Sequence, residues 1–217
     1  MKYDLILKNG LVILEDSQQN VEIGVKDGKI AAIGQDLGEA EQVIDAQNQI
    51  VSPGMVDAHV HITEPGGGYR DRWEGYVTGT RAAAKGGVTA FVEMPLNQVP
   101  ATTDQASIQA KFDAGKGELS VDVASYGGLV PYNLNGGIQE LDEAGVVAYK
   151  AFLATCGDRS IEGDFENVDD YSLYEGMKQI AKTGKLLSIH AENAIITDRL
   201  GEIAKANGET TLSAYVD

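Results

Sequence analysis

The chain is short of the residues that staple, anchor or charge a polypeptide. Cys156 is its single cysteine, so no intrachain disulfide can form, and a reducing cytoplasm is the expected setting. No apolar run approaches the ~20 residues that span a bilayer. The opening MKYDLILKNG is too short and too polar for a signal peptide, so neither membrane nor export is expected. Basic residues are scarce: 17 stand against 33 acidic ones, a net charge of −16. Such a surface repels phosphate backbones and argues against a nucleic-acid partner. Histidine is scarcer still, with three in the whole chain, which makes the position of each informative.

What remains is ordinary globular material. Hydrophobic residues make up 43% and charged residues 23%, a balance that excludes disorder as a description of the whole. At 217 residues there is material for one sizeable core, or for a small domain beside a larger one. The first fifty residues read as short strands at 3–7, 11–14, 21–25, 29–33, 43–46 and 49–51, with Asn9-Gly10 and Asp27-Gly28 as turns. No helical period interrupts them, and a small antiparallel sheet is predicted over residues 1–50.

Beyond Ile50 the rhythm changes. Apolar runs at 51–58, 88–94, 121–130, 146–153 and 186–189 alternate with helix-like segments at 74–85, 104–114, 137–144, 171–182 and 194–207. Glycines mark helix ends at Gly86-Gly87, Gly145, Gly184 and Gly208. Such alternation predicts an α/β domain over 51–217 with a parallel sheet and five β-α units. A closed (β/α)8 barrel needs eight units, so either the sheet is open or the barrel is cut short after about the fifth.

The chemistry gathers at strand ends. His59-Val60-His61 closes the first run of the α/β region, and residues i and i+2 of a strand face the same way, ~6.5 Å apart. Two imidazoles so placed can hold one metal ion; they can equally be two polar residues leaving a strand. His190 ends the run LLSI, so it also falls at a strand end, where active sites of β/α barrels lie. Lys150 sits inside the apolar run GVVAYKAFL. A buried lysine without a partner is costly, so it snorkels out, pairs with an acid, or reacts with carbon dioxide to become an anionic carbamate.

Several stretches carry a family resemblance. PGMVDAHVHITEPG resembles the opening of the cyclic amidohydrolases, a family that includes dihydroorotase, dihydropyrimidinase/hydantoinase and allantoinase. WEGYVTGTRAAAKGGVTAFVEMPLNQVPATT, GVVAYKAFLATCGDRS and HAEN are most similar to its allantoinase branch. The leading strands, with DGKIAAIGQDL and VIDAQNQIVSPG, resemble the family's N-terminal β-sandwich portion. The resemblance implies the N-terminal part of a (β/α)8 barrel, with two divalent metal ions, zinc before cobalt, iron, manganese or nickel. It implies His59 and His61 as ligands of one ion, a carbamylated Lys150 bridging both, and His190 as ligand of the second. The implied activity is hydrolysis of a small cyclic ureide, (S)-allantoin to allantoate, by a homotetramer. A hydantoinase or dihydropyrimidinase activity is the alternative within the family; outside it stands a non-catalytic interaction protein.

Two residues the family requires, a histidine after the sixth strand and a proton-shuttling aspartate after the eighth, have no counterpart here, so this chain alone is expected to be inactive. Where dihydroorotases carry an arginine two residues after the second histidine, this chain has Thr63; Arg70 and Arg72 lie in the glycine-rich loop that follows. Asn97, after the second run, either faces substrate or makes an Asx turn before Pro100. Asp57, Glu192 and Asn193 are candidates for orienting the ligands, and Cys156 is read as an inert thiol near the mouth.

Overall fold

The computed structural model describes residues 2–65 and 73–216, with the side chains of 215 and 216 outside the description. Two compact units emerge, Met1–Gly54 and Met55–Asp217. The first holds strands β1 (Tyr3–Ile13), β2 (Gln18–Lys26), β3 (Lys29–Gly34), β4 (Ala40–Asp45) and β5 (Ile50–Val51). The Asp27-Gly28 turn joins β2 to β3 with both residues at positive φ, 51° and 71°, as a tight two-residue hairpin requires.

Two expectations for this unit are corrected. Asn9-Gly10 is not a turn: β1 runs through it, with Asn9 at φ 59° and a register shift against β2 between Leu7 and Gly10. The pair forms a bulge instead, and Gly10 is needed there because a Cβ would lie 2.6 Å from the Val51 side chain. The sheet is also not wholly antiparallel. Its order is β3-β2-β1-β4, with β5 also on β1, and both β4 and β5 run parallel to β1. The segment 35–39 carries the chain from β3 back past β2 to the far side of β1, and such a crossover makes parallel neighbours.

The second unit alternates as its sequence predicts. Its elements are β6 (Met55–Val60), α1 (Gly75–Lys85), β7 (Val88–Glu93), α2 (Gln105–Gly115), β8 (Asp122–Gly128), a 3-10 turn at Pro131–Asn133, α3 (Gly137–Ala144), β9 (Ala148–Phe152), α4 (Asp170–Thr183), β10 (Leu187–His190), α5 (Ala194–Ala206) and a short α6 (Leu212–Val216) that the sequence reading does not anticipate. The five strands pair in chain order, all parallel. Helix boundaries follow local chemistry. The Asp104 carboxylate accepts from Ser107 N–H at 2.7 Å and opens α2; Asp169 does the same for α4 through Ser172 N–H at 2.7 Å. Gly145 and Gly184, at φ 95° and 71°, end α3 and α4.

Strand alternation then sorts the side chains. Tyr149 and Ala151 of β9 pack with Ile108, Ile138, Leu141 and Ile180 of the helices, and Leu187 of β10 packs against the same cluster. Phe91 of β7 meets Ile62 and Tyr76, with Val60 against them. Their sequence neighbours take the opposite face. Ala148 and Phe152 belong to a separate cluster with Met94, Tyr126 and Phe165. Lys150 shares the parity of Ala148 and Phe152, His190 that of Ser188, and His59 and His61 that opposed to Val60. All four therefore stand on the sheet face turned away from the helices.

The β9–α4 loop covers part of that face. Phe165 is buried and meets the Phe152 ring edge-on at 5.8 Å, while Val168 N–H donates to Phe152 O at 2.9 Å. Gly157 lets this loop close: it sits at φ 76°, and a Cβ there would lie 2.2 Å from the Phe165 carbonyl oxygen, which cannot move aside as a side-chain end can. Gly184 has similar φ with open space around it. Gly184→Ala should therefore cost only the strain of a left-handed residue, roughly 1–2 kcal/mol. Gly157→Ala adds the clash and should lower the Tm of the full-length protein by several degrees more. Equal losses in a thermal melt of the two variants would contradict this packing.

Candidate metal centre

β6 delivers the histidine pair. The ring centroids of His59 and His61 are 5.3 Å apart, tilted by 46°. Asp57 accepts from His59 N–H at 3.0 Å and so orders the strand end rather than reaching toward the imidazoles. The edge of His61 meets Trp73 at 6.2 Å between centroids. Asn97, held at φ 82°, places its side-chain amide 3.3 Å from His61 Nδ1. At that distance the amide is a hydrogen-bond neighbour of the ligand candidate. The atom that faces Nδ1 is Asn97 Nδ2, which donates, so Nδ1 accepts and the proton of the neutral ring falls to Nε2.

Burial lowers the His61 pKa, and the adjacent His59 and Lys150 charges lower it further, against the Leu96 carbonyl and Glu93, which act the other way. The ring is thus held in its neutral form, the form that ligates metals. Lys150 is 5% exposed on β9, between Gly128 and Ser188 of the flanking strands. Its ammonium lies 5.0 Å from the Phe152 ring centroid, and no described carboxylate forms an ion pair with it. Burial lowers its pKa too; Glu192 and Cys156 oppose that fall. The lowered pKa favours the free amine, whose nitrogen lone pair can bind carbon dioxide.

His190 reaches the same face by a different arrangement. Its ring stacks on Phe152 at 4.4 Å and 8°, and Nε2 lies 2.8 Å from Glu192 Oε1. Phe152 therefore neighbours both Lys150 and His190. Among the described residues, no three His, Cys, Asp or Glu side chains converge at metal-holding distance. The structure brings His59 and His61 together with Lys150 within electrostatic reach, and keeps His190 in a separate contact. The donors nonetheless suit a divalent ion such as zinc: neutral imidazoles plus a lysine that becomes an oxygen donor on carbamylation.

The remaining candidates separate. Glu192 pairs with His190, whereas the Asn193 side chain accepts from Ile196 N–H at 3.2 Å and caps α5. Cys156 packs partly buried against the Met94–Phe165 cluster. Thr63 is buried, at φ 64°. Arg70 and Arg72 lie outside the described residues. Sequence reasoning passes over Phe152 and over Glu93, a carboxylate with 0% exposure at the end of β7. Glu93 closes the apolar run VTAFVE, and a charge within such a run is the signal that singles out Lys150.

Comparison with known proteins is consistent across sequence and structure. The amidohydrolase family model matches residues 50–216. A curated allantoinase of Bacillus licheniformis is 80% identical across all of this chain, which covers 48% of that protein; one of Enterococcus faecalis is 69% identical, with 47% covered. The chain thus spans about half the length of the curated relatives it matches. Among solved structures, the L-hydantoinase (dihydropyrimidinase) of Arthrobacter aurescens superposes with a TM-score of 0.87 at 36% identity, over 98% of this chain and 46% of that one. A D-hydantoinase superposes at 0.77 and 30% identity, over 96% and 44%. With the family model matching more than half of its residues, this chain belongs to the amidohydrolase family.

Proposed function

We propose that the protein hydrolyses the ring of (S)-allantoin to allantoate, and that this chain carries the first part of its metal site. The observation that carries the reading is an H-x-H pair sharing one sheet face with a buried lysine, in a chain 80% identical to a curated allantoinase. The five parallel strands are read as the first units of a (β/α)8 barrel spanning 51–217, preceded by a β-sandwich portion at 1–50. The hydantoinase alternative rests on the TM-score of 0.87, at an identity of 36%, well below that to the allantoinases. A cytoplasmic homotetramer acting on a small cyclic ureide, without nucleic-acid or membrane partners, completes the proposal.

His59, His61, Lys150 and His190 would hold two divalent ions, zinc being the first candidate. When bound, such ions lower the pKa of water and polarise an amide carbonyl. The chain's own residues prepare for this. His61 is kept neutral by burial and by the histidine beside it. The Lys150 amine, once deprotonated, forms a nitrogen–carbon bond to carbon dioxide and releases one proton. The resulting carbamate is an anion with two oxygens, and it replaces a costly buried ammonium. Asn97, beside His61, would meet a polar group of the substrate ring. His190 would join the site by turning from Phe152 and Glu192, a rotation about its own χ angles.

Assay of the full-length protein on allantoin, hydantoin and dihydrouracil tests the substrate: turnover of allantoin is expected, and turnover of hydantoin with allantoin ignored would defeat the reading. Lys150→Ala should lose metal and activity together, with native mass spectrometry showing one carbon dioxide fewer; two retained metals with normal turnover would refute the carbamate. A pH dependence follows from His61. Its folded pKa lies below the ordinary 6.5, so the metal-free protein loses stability as pH falls through about 6.5 toward the lowered folded value, where the loss is complete. Denaturation in chelator should show that loss, and His61→Gln should flatten it. An unchanged acid slope in the variant would assign the dependence to other groups.

A further inference from the structure

A buried carboxylate lies directly behind the histidine pair. Glu93, the last residue of β7, sits opposite Val60 of β6 and turns to the helix side of the sheet, away from the imidazoles. One oxygen, Oε1, accepts from the Thr63 backbone N–H at 2.9 Å. The other, Oε2, accepts from Tyr76 Oη–H at 2.7 Å and pairs with Lys111 Nζ at 3.1 Å. Lys111 is 1% exposed and donates also to Met94 O at 3.0 Å. An ionised pair at this depth is a poor means of adding stability, since desolvation offsets much of its attraction. Its geometry has a clearer use.

The segment it grips carries His61. Around that histidine, Met94 N–H donates to Val60 O at 2.8 Å and Gly75 N–H to Ile62 O at 3.3 Å. Tyr76 N–H donates to Glu64 Oε2 at 3.1 Å. Thr63 stands at φ 64°, an unfavourable conformation for a β-branched residue, which persists only where its surroundings hold it. The surrounding group that holds its N–H is Glu93. We infer that Glu93 is a positioning residue for the metal-binding pair: with Lys111 and Tyr76 fixing its carboxylate, it locks the turn at Thr63 and thereby aims His61 beside His59. This inference rests on the metal-site reading above.

The same geometry explains why a carboxylate is used. Two tasks, holding the Thr63 backbone and anchoring to side chains of α1 and α2, fall to the two oxygens of one group. Lys111 faces the carboxylate at 3.1 Å where water is excluded; burial lowers the lysine's pKa, and Glu93 opposes that fall.

The test measures zinc affinity by chelator competition, without substrate, on the full-length protein and three variants. Glu93→Gln with Lys111→Met keeps an acceptor for Thr63 and removes both charges. Glu93→Leu with Lys111→Met keeps the volume and removes the acceptor. Glu93→Asp keeps the charge pair and shortens the arm by about one carbon–carbon bond, too short to reach Thr63 and Lys111 together. The Leu/Met protein should bind zinc roughly 10–100-fold more weakly, the loss expected when a ligand's support is removed. The Gln/Met protein should stay within a few-fold of the unaltered one, and excess zinc should restore kcat to the Leu/Met protein with KM little changed. If the Leu/Met protein fails to fold, Glu93→Asp decides in its place, with at least tenfold weaker zinc binding expected. Unaltered zinc affinity in a folded Leu/Met or Asp variant overturns the inference. If the unaltered protein itself binds no zinc, the metal-site reading has failed first, and the two failures are told apart by that control.

Discussion

Each parallel strand of the second unit has two faces, and the alternation between them governs everything else. The helices cover one face, so Tyr149, Ala151, Phe91 and Leu187 must be apolar. The intervening residues are released from that demand. In β9 the released position is Lys150; in β6 it is His59, with His61 following at the strand end; in β10 it is His190. A one-residue slip in β6 or β10 would turn an imidazole toward the helices, and one in β7 or β9 would turn Phe91 or Tyr149 away from them, so packing on one face sets the chemistry on the other.

Electrostatics on the released face disfavour protonated His61 and Lys150. Burial lowers both pKa values, and the Lys150 charge lowers that of His61 further. Glu192 opposes the fall at Lys150 and also engages His190. On the covered face the balance is reversed: Glu93 and Lys111 are paired at close range, and Tyr76 and the Thr63 backbone satisfy the remaining oxygen valences. One charged cluster is closed on itself and rigid. The other is left with donor capacity.

Much of this was legible in the chain. The helix at 137–144 has the predicted bounds because Gly136 and Gly145 bracket an amphipathic run, and α2 starts where Asp104 and Ser107 form a capping box. Histidines at strand ends and a lysine within an apolar run could be placed on one sheet face from strand alternation alone. Three things were not legible. Asn9-Gly10 has turn composition, but the close approach of Val51 makes it a bulge, and that approach comes from residues forty positions away. The parallel placement of β4 and β5 depends on a crossover whose direction no local pattern encodes. The stacking of His190 on Phe152 depends on side chains of neighbouring parity meeting at one strand pair, Phe152 opposite His190.

The central claim is spatial: His59, His61 and Lys150 serve one metal centre. Anomalous scattering from a crystal of the zinc-loaded full-length protein, collected at the metal edge, tests it directly. The account predicts a peak roughly 2.0–2.1 Å from an imidazole nitrogen of both His59 and His61, with a carbamate on Lys150 adjoining it. A peak held by other residues, with these two rings turned away and Lys150 left as a free amine, would contradict it.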